Sequence, residues 1–168
     1  MARVGLSYVS ERYDDRYWCW AVTKFAIADG SPLRTRHLTT EVPLAWAAVS
    51  ATRLLSREPV FDIRALGALH AALFLAAGAI LLRACRDLAA AAQWLAALLL
   101  VFVFTDVGYT DAFNSLYGQT SSLLALLWIV AVAATVIRTG RASAVWLAAY
   151  FLAAAWFVGS KPQEVLHG

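Results

Sequence analysis

Residues 105–119 read Thr-Asp-Val-Gly-Tyr-Thr-Asp-Ala-Phe-Asn-Ser-Leu-Tyr-Gly-Gln. Two carboxylates, Asp106 and Asp111, stand beside Tyr109, Asn114, Ser115, Tyr117 and Gln119, with no Lys or Arg among them. A carboxylate so placed can accept a proton from a hydroxyl or orient that hydroxyl. Asp ahead of an apolar helix also caps free backbone N–H groups, and for Asp111, which precedes an apolar run, that role weighs as much as catalysis. Tyr109 and Tyr117 equally suit a membrane interface, where aromatic rings gather. Lys161, beyond the last apolar run, offers a cation or is an ordinary flanking charge.

The elements that would hold these residues are apolar. Of 168 residues, 61% are hydrophobic and 15% charged, against about 25% charged in an ordinary soluble domain. From Ala65 onward, the runs 65–82, 88–105, 112–137 and 142–160 lack Lys, Arg, Asp and Glu. Each has roughly the 17–25 residues that a helix needs to cross a bilayer. The expected fold class is all-α: a polytopic membrane helix bundle with about four transmembrane helices, at 63–82, 88–104, 116–137 and 143–158, plus an N-terminal interfacial amphipathic helix. In the first span Ala68, Ala72 and Ala76 form a ridge of small residues on which another helix can pack closely. His70 in the same span is either functional or a histidine hydrogen-bonded to a neighbouring helix. Ala92 and Ala96 repeat the small-residue spacing in the second span.

Residues 1–62 form the other expected domain. Residues 1–64 hold nine of the fourteen basic and seven of the eleven acidic residues, with Tyr8, Tyr13, Tyr17, Trp18, Trp20 and Phe25 among them. Such a mixture suits a segment lying on a membrane surface. Glu41-Val42-Pro43 opens a helix, since Pro is tolerated in the first turn. Leu44, Ala47, Ala48, Ala51, Leu54 and Leu55 then repeat at three and four, giving helix 43–56 one apolar face. Glu58-Pro59 ends it.

Charge distribution gives a topology. Loops 83–87 and 138–141 carry two arginines each and loop 105–115 carries none, so the positive-inside rule places the acidic loop outside the cytoplasm. Residues 1–62 and 160–168 then lie on that outer face as well. A charged segment of 62 residues would have to cross without a preceding span, and the expectation is therefore that this chain is a fragment of a larger protein or a truncated reading frame. The net charge of +3 is spread around the spans instead of forming a basic patch with interleaved aromatics, so nucleic acid is not an expected partner. Cys19 and Cys85 fall on opposite sides of the first span and show no ligand spacing. No metal site, nucleotide loop or cofactor is expected.

Asp106-x-x-Tyr109, then Phe113-Asn114-Ser115-x-Tyr117, and Ser160-Lys161-x-Gln163 after the next pair of spans together resemble a group of bacterial multi-spanning proteins. They look like glycosyltransferases of the GT-C type, which use lipid-linked sugars, such as the hexose transferases of surface-glycan assembly. Phe61-Asp62-Ile63-Arg64-x-Leu66-Gly67, running into a span, is similar to the same group, and the resemblance covers roughly 40–165. Gln119 stands where the family pattern favours Glu. The resemblance implies an integral protein of the bacterial inner membrane that transfers a sugar from a polyprenyl-phosphate-linked donor to a glycan acceptor. Asp106 and Asp111 would be the catalytic carboxylates. Lys161 would steady the departing phosphate. Tyr109, Asn114, Tyr117, Gln119 and Gln163 would bind substrate, and the apolar spans would groove the lipid tail. The readings outside catalysis are a non-enzymatic multi-pass membrane protein or an inactive remnant of a truncated gene.

Overall fold

The computed structural model describes residues 6–9, 23–27, 40–55, 59–104, 113 and 118–160. Most of these are helical. Helix α1 spans Glu41–Leu55, α2 Arg64–Ala84, α3 Ala90–Phe104, α4 Gly118–Thr139 and α5 Ala144–Ser160. Strands β1 (Leu6–Tyr8), β2 (Lys24–Ile27) and β3 (Val60–Asp62) form an antiparallel sheet in the order β1-β2-β3.

The small sheet is an addition to the expected helical bundle. Its strands are three and four residues long, too short for a period-two pattern to stand out from the charges around them. Pairing Phe25 with Phe61 and Leu6 with Ile27 sets the register. Phe25 and Phe61 are fully buried, and Leu6 nearly so. Each such side chain contributes about 1.5–3 kcal/mol by leaving water. Ala45, Ala48 and Val49 of α1 complete this core together with Ile63 and Leu66. Spaced at three and four, these residues lie on one helical face, which shares Ala48 and the adjoining Leu44 with the expected face but is rotated from it. Leu54 and Leu55 are almost wholly exposed, and Ala47 and Ala51 are exposed as well. An alanine-rich helix has weak intrinsic facing, and its rotation follows Glu41, which is buried by specific partners.

Asp62 Oδ1 accepts the Arg64 N–H at 2.9 Å and satisfies one free donor at the start of α2. The buried face of α2 comprises Leu66, Gly67, His70, Ala77, Gly78 and Ala84. The expected ridge of Ala68, Ala72 and Ala76 points away from the protein. Small residues occur on every side of this helix, and His70 selects the face that turns inward. Ala77 and Leu127 form the α2–α4 seam, flanked by Phe74, Leu81, Leu100, Leu123 and Trp128. Helix α4 also packs along α5, whereas α3 touches α2 only lightly.

Two helices, Arg64–Ala84 and Gln119–Thr139, are long and apolar enough to cross a membrane, with mean hydropathies of 2.1 and 2.2. Helices α3 and α5 are equally apolar but have 15 and 17 residues, or about 22 and 25 Å against a hydrocarbon core of about 30 Å. Both expose large apolar side chains, Phe102 and Leu98 on α3, Val145 and Leu152 on α5. Gln93 Nε2 donates to the carbonyls of Arg86 and Leu88 at 3.0 and 2.8 Å and ties the α2–α3 turn. Gly140, at φ +61°, closes α4 by donating its N–H to Val136 O at 2.9 Å. This left-handed stop costs glycine little.

Candidate functional site

The polar centre of the described structure is assembled from three helices. His70, in the second turn of α2, is fully buried. Glu41, the first residue of α1, is 2% exposed. The imidazole Nε2 lies 3.1 Å from Glu41 Oε1, while the Ser121 hydroxyl on α4 donates to Glu41 Oε2. On the other side of the ring, His70 Nδ1 is 2.9 Å from the carbonyl oxygen of Phe113.

The tautomer follows from this geometry. A carbonyl only accepts, so Nδ1 carries hydrogen. A bare Nε2 lone pair would then face a carboxylate oxygen, which is repulsive. The contact is attractive when a further proton resides on Nε2 or on Oε1. Neither atom has an aligned hydrogen-bond partner among the described residues, so the 3.1 Å approach is a close polar contact without the alignment of a directed bond. Within a low-dielectric site such a pair is costly to break, because either member alone would be a buried polar group without a partner.

The arrangement differs from a nucleophile triad. There the imidazole lies between hydroxyl and carboxylate. Here the carboxylate lies between hydroxyl and imidazole, and the second ring nitrogen is occupied by a backbone carbonyl. Ser121 is thus a donor to Glu41 and is not activated for attack. The unit positions rather than reacts. It fixes Phe113, the one described residue between Phe104 and Gly118. The Phe113 ring packs edge-on against His70 and Phe74, at centroid distances of 6.0 and 6.5 Å.

A second polar seam lies beside it. Thr40 donates its backbone N–H to Gly159 O at 3.1 Å and its hydroxyl to Trp156 O at 3.2 Å. Ser122 and Ser160 share a hydroxyl hydrogen bond of 2.6 Å, and Ser160 also donates to Phe157 O at 2.7 Å. The chain just ahead of α1 is thereby held to the end of α5. Thr120 Oγ1, Trp128 Nε1 and Trp156 Nε1 are buried without a hydrogen-bond partner among the described residues.

Of the residues singled out from sequence, Gln119 lies exposed at the start of α4. Asp106, Tyr109, Asp111, Asn114, Tyr117, Lys161 and Gln163 lie outside the described residues. His70 stands at the centre of the polar unit. Its partners were not apparent from sequence. Glu41 read as a helix opener, and Ser121 as part of an apolar span; they are 80 positions apart, and no local spacing links them. No group of three or more His, Cys, Asp or Glu residues able to hold a metal occurs among the described residues.

Two cavities adjoin the helices. An apolar groove of about 320 Å³ is lined by Leu81, Leu99, Leu100, Val103, Leu123 and Leu127, among others. A second, of about 330 Å³, lies at the C-terminal ends of α2 and α4 and is lined by Ile80, Arg83, Thr135, Arg138, Thr139 and Trp146. No curated protein and no solved structure matches the chain. A family model described as the YfdI N-terminal transmembrane domain matches residues 1–168. With that match spanning the long apolar helices α2 and α4, the chain belongs to the YfdI N-terminal transmembrane domain family and is an integral membrane protein.

Proposed function

We propose that this membrane protein belongs to a GT-C-type glycosyltransferase that moves a sugar from a polyprenyl-phosphate-linked donor to a surface-glycan acceptor. The observation that carries the reading is the anchoring of Phe113. It lies inside the polar stretch that bears Asp106 and Asp111, and its carbonyl is held by a buried histidine 43 positions away. A loop that must present carboxylates at a membrane surface gains accuracy from a fixed point on rigid helices. The motif resemblance supplies the chemistry: Asp106 or Asp111 takes the proton of the acceptor hydroxyl, and Lys161 stabilises the departing phosphate. Tyr109, Asn114, Tyr117, Gln119 and Gln163 bind sugar hydroxyls. The apolar groove of about 320 Å³ beside α3 suits an isoprenoid segment of the donor.

The same reading takes all four apolar runs across the bacterial inner membrane, with 105–115 on the extracytoplasmic side. The exposed apolar faces of α3 and α5 support this, because in water they would be unprotected. A second reading is a non-enzymatic multi-pass membrane protein. It draws on the enclosure of the Glu41–His70–Ser121 unit, whose members are buried and line neither of the two cavities.

Transfer from a polyprenyl-phosphate sugar in reconstituted vesicles separates the two. Wild type, Asp106→Asn and Asp111→Asn are compared at equal protein level. Asn retains size and capping ability but does not accept a proton at neutral pH. Loss of transfer in Asp106→Asn with normal insertion is the expected result. Wild-type transfer in both variants would remove these carboxylates from the mechanism, and absence of transfer in every preparation containing the wild-type chain would favour the second reading.

A further inference from the structure

The end of the bundle remote from Phe113 carries an unused cationic cavity. Four arginines, Arg83, Arg86, Arg138 and Arg141, occur in the two turns there against one carboxylate, Asp87. Asp87 is divided between two of them: Oδ2 lies 3.0 Å from Arg138 Nε and Oδ1 3.4 Å from Arg86 Nε. Arg138 Nη1 also donates to Arg83 O at 2.7 Å. Arg138 is therefore held in place across the α2–α4 gap, its side chain 22% exposed. The Arg83 guanidinium has no acceptor among the described residues. Both arginines line the cavity of about 330 Å³.

The remaining wall has a definite character. The hydroxyl hydrogens of Thr135 and Thr139 are spent on their own helix, donating to Ala131 O and Thr135 O, each at 2.8 Å. That leaves the arginines as the charged donors. Trp146 and Ile80 supply apolar and aromatic surface, and Val145 next to Trp146 is 75% exposed. The cavity thus joins a cationic mouth to a lipid-facing apolar flank. A cationic pocket between membrane helices at the level of the headgroups suits an anionic lipid. Guanidinium pairs with phosphate through parallel N–H···O bonds.

We propose that the cavity between α2, α4 and α5 binds the phosphate of an anionic phospholipid headgroup, with Arg83 as the principal ligand and Arg138 as a fixed second cation. Asp87 serves the site by pinning Arg138, and Trp146 borders the glycerol region. The site is independent of the proposed sugar transfer.

The test is native mass spectrometry of the purified chain released from detergent, titrated with phosphatidylglycerol or phosphatidylcholine. Wild type retains phosphatidylglycerol in preference to phosphatidylcholine. Loss of a charge-assisted phosphate contact in Arg83→Gln lowers that retention by about tenfold. Arg86→Gln, exposed, already paired with Asp87 and outside the cavity, leaves it unchanged. Equal retention of the two lipids by wild type overturns the proposal, as do equal losses in Arg83→Gln and Arg86→Gln. A further arm adds millimolar inorganic phosphate. Displacement of phosphatidylglycerol by phosphate alone would assign the pocket to a free anion and overturn the lipid assignment.

Discussion

Removing the Glu41 carboxylate tests whether the buried polar unit holds the membrane part together. Glu41→Ala deletes two contacts at once, the Ser121 hydrogen bond and the 3.1 Å approach to His70. It leaves a buried hydroxyl and a buried ring nitrogen with nothing to replace them. Breaking a buried charged pair from one side costs roughly 3–5 kcal/mol in soluble proteins. Single hydrogen bonds between membrane helices average nearer 0.6 kcal/mol, with a maximum of about 1.7. Glu41 sits where α1, α2 and α4 meet and loses two partners, so a cost of about 3 kcal/mol is expected. Glu41→Gln preserves the volume and accepts from Ser121, while its amide can donate to a neutral Nε2; its cost is about 1 kcal/mol. His70→Ala loses the Phe113 carbonyl bond in addition.

The decisive quantity is the coupling in the double variant. Once Glu41 is gone, His70 has less to lose on that side, so the two costs fall short of additivity by about 2 kcal/mol. Equilibrium unfolding in mixed micelles with rising dodecyl sulfate fraction, followed by circular dichroism, reads each cost. Additivity within about 0.5 kcal/mol would show that the Glu41–His70 contact contributes no stability, and that His70 is held by Phe113 alone.

Two packing predictions accompany it. A Cβ on Gly159 would lie 2.6 Å from Thr40 Cγ2, so Gly159→Ala should destabilise by about 1–3 kcal/mol in the same micelle assay. Thr40→Ser, which removes that methyl and keeps the hydroxyl, should restore most of the loss. Ala72→Leu should be nearly neutral because Ala72 faces outward, whereas Gly78→Leu should lower resistance to unfolding, because a Cβ there already comes within 3.9 Å of Leu100 Cδ1. The reverse ranking would mean that the ridge of Ala68, Ala72 and Ala76 is the packed face.

The helices were legible because apolar runs without charges have few ways to fold, and because turns such as Arg138-Thr-Gly-Arg141 punctuate them. Their rotation was not. On α1 and α2 alanine occurs on every side, so periodicity alone does not say which face packs. Specific polar atoms decide it, Glu41 on one helix and His70 on the other, through partners on α4 and in the 105–117 stretch that no local pattern connects. The sheet was illegible for a related reason. Its strands pair Phe25 with Phe61 across 36 positions, and three or four residues give too little alternation to mark a strand. Of the candidate site, His70 was visible as a titratable group in an apolar run, while Glu41 and Ser121 gained significance only from their contact.

These contacts also explain how α2 and α4 can stay paired in lipid. Hydrocarbon offers no hydrophobic drive between helices, so association rests on close packing and polar contacts. The close packing is the Ala77–Leu127 seam. The polar contacts lie at its two ends. At one end Glu41 and Phe113 bind His70 while Ser121 binds Glu41. At the other Arg138 reaches the Arg83 carbonyl and Asp87. The second set is partly exposed and contributes little by charge alone, so most of the polar restraint falls on the buried set. Helix α3 meets α4 across the apolar groove, with Leu100 packed against the Ala77–Leu127 seam. Because Glu41 belongs to the α1–sheet unit, His70 joins that unit, α2 and Phe113 through a single ring.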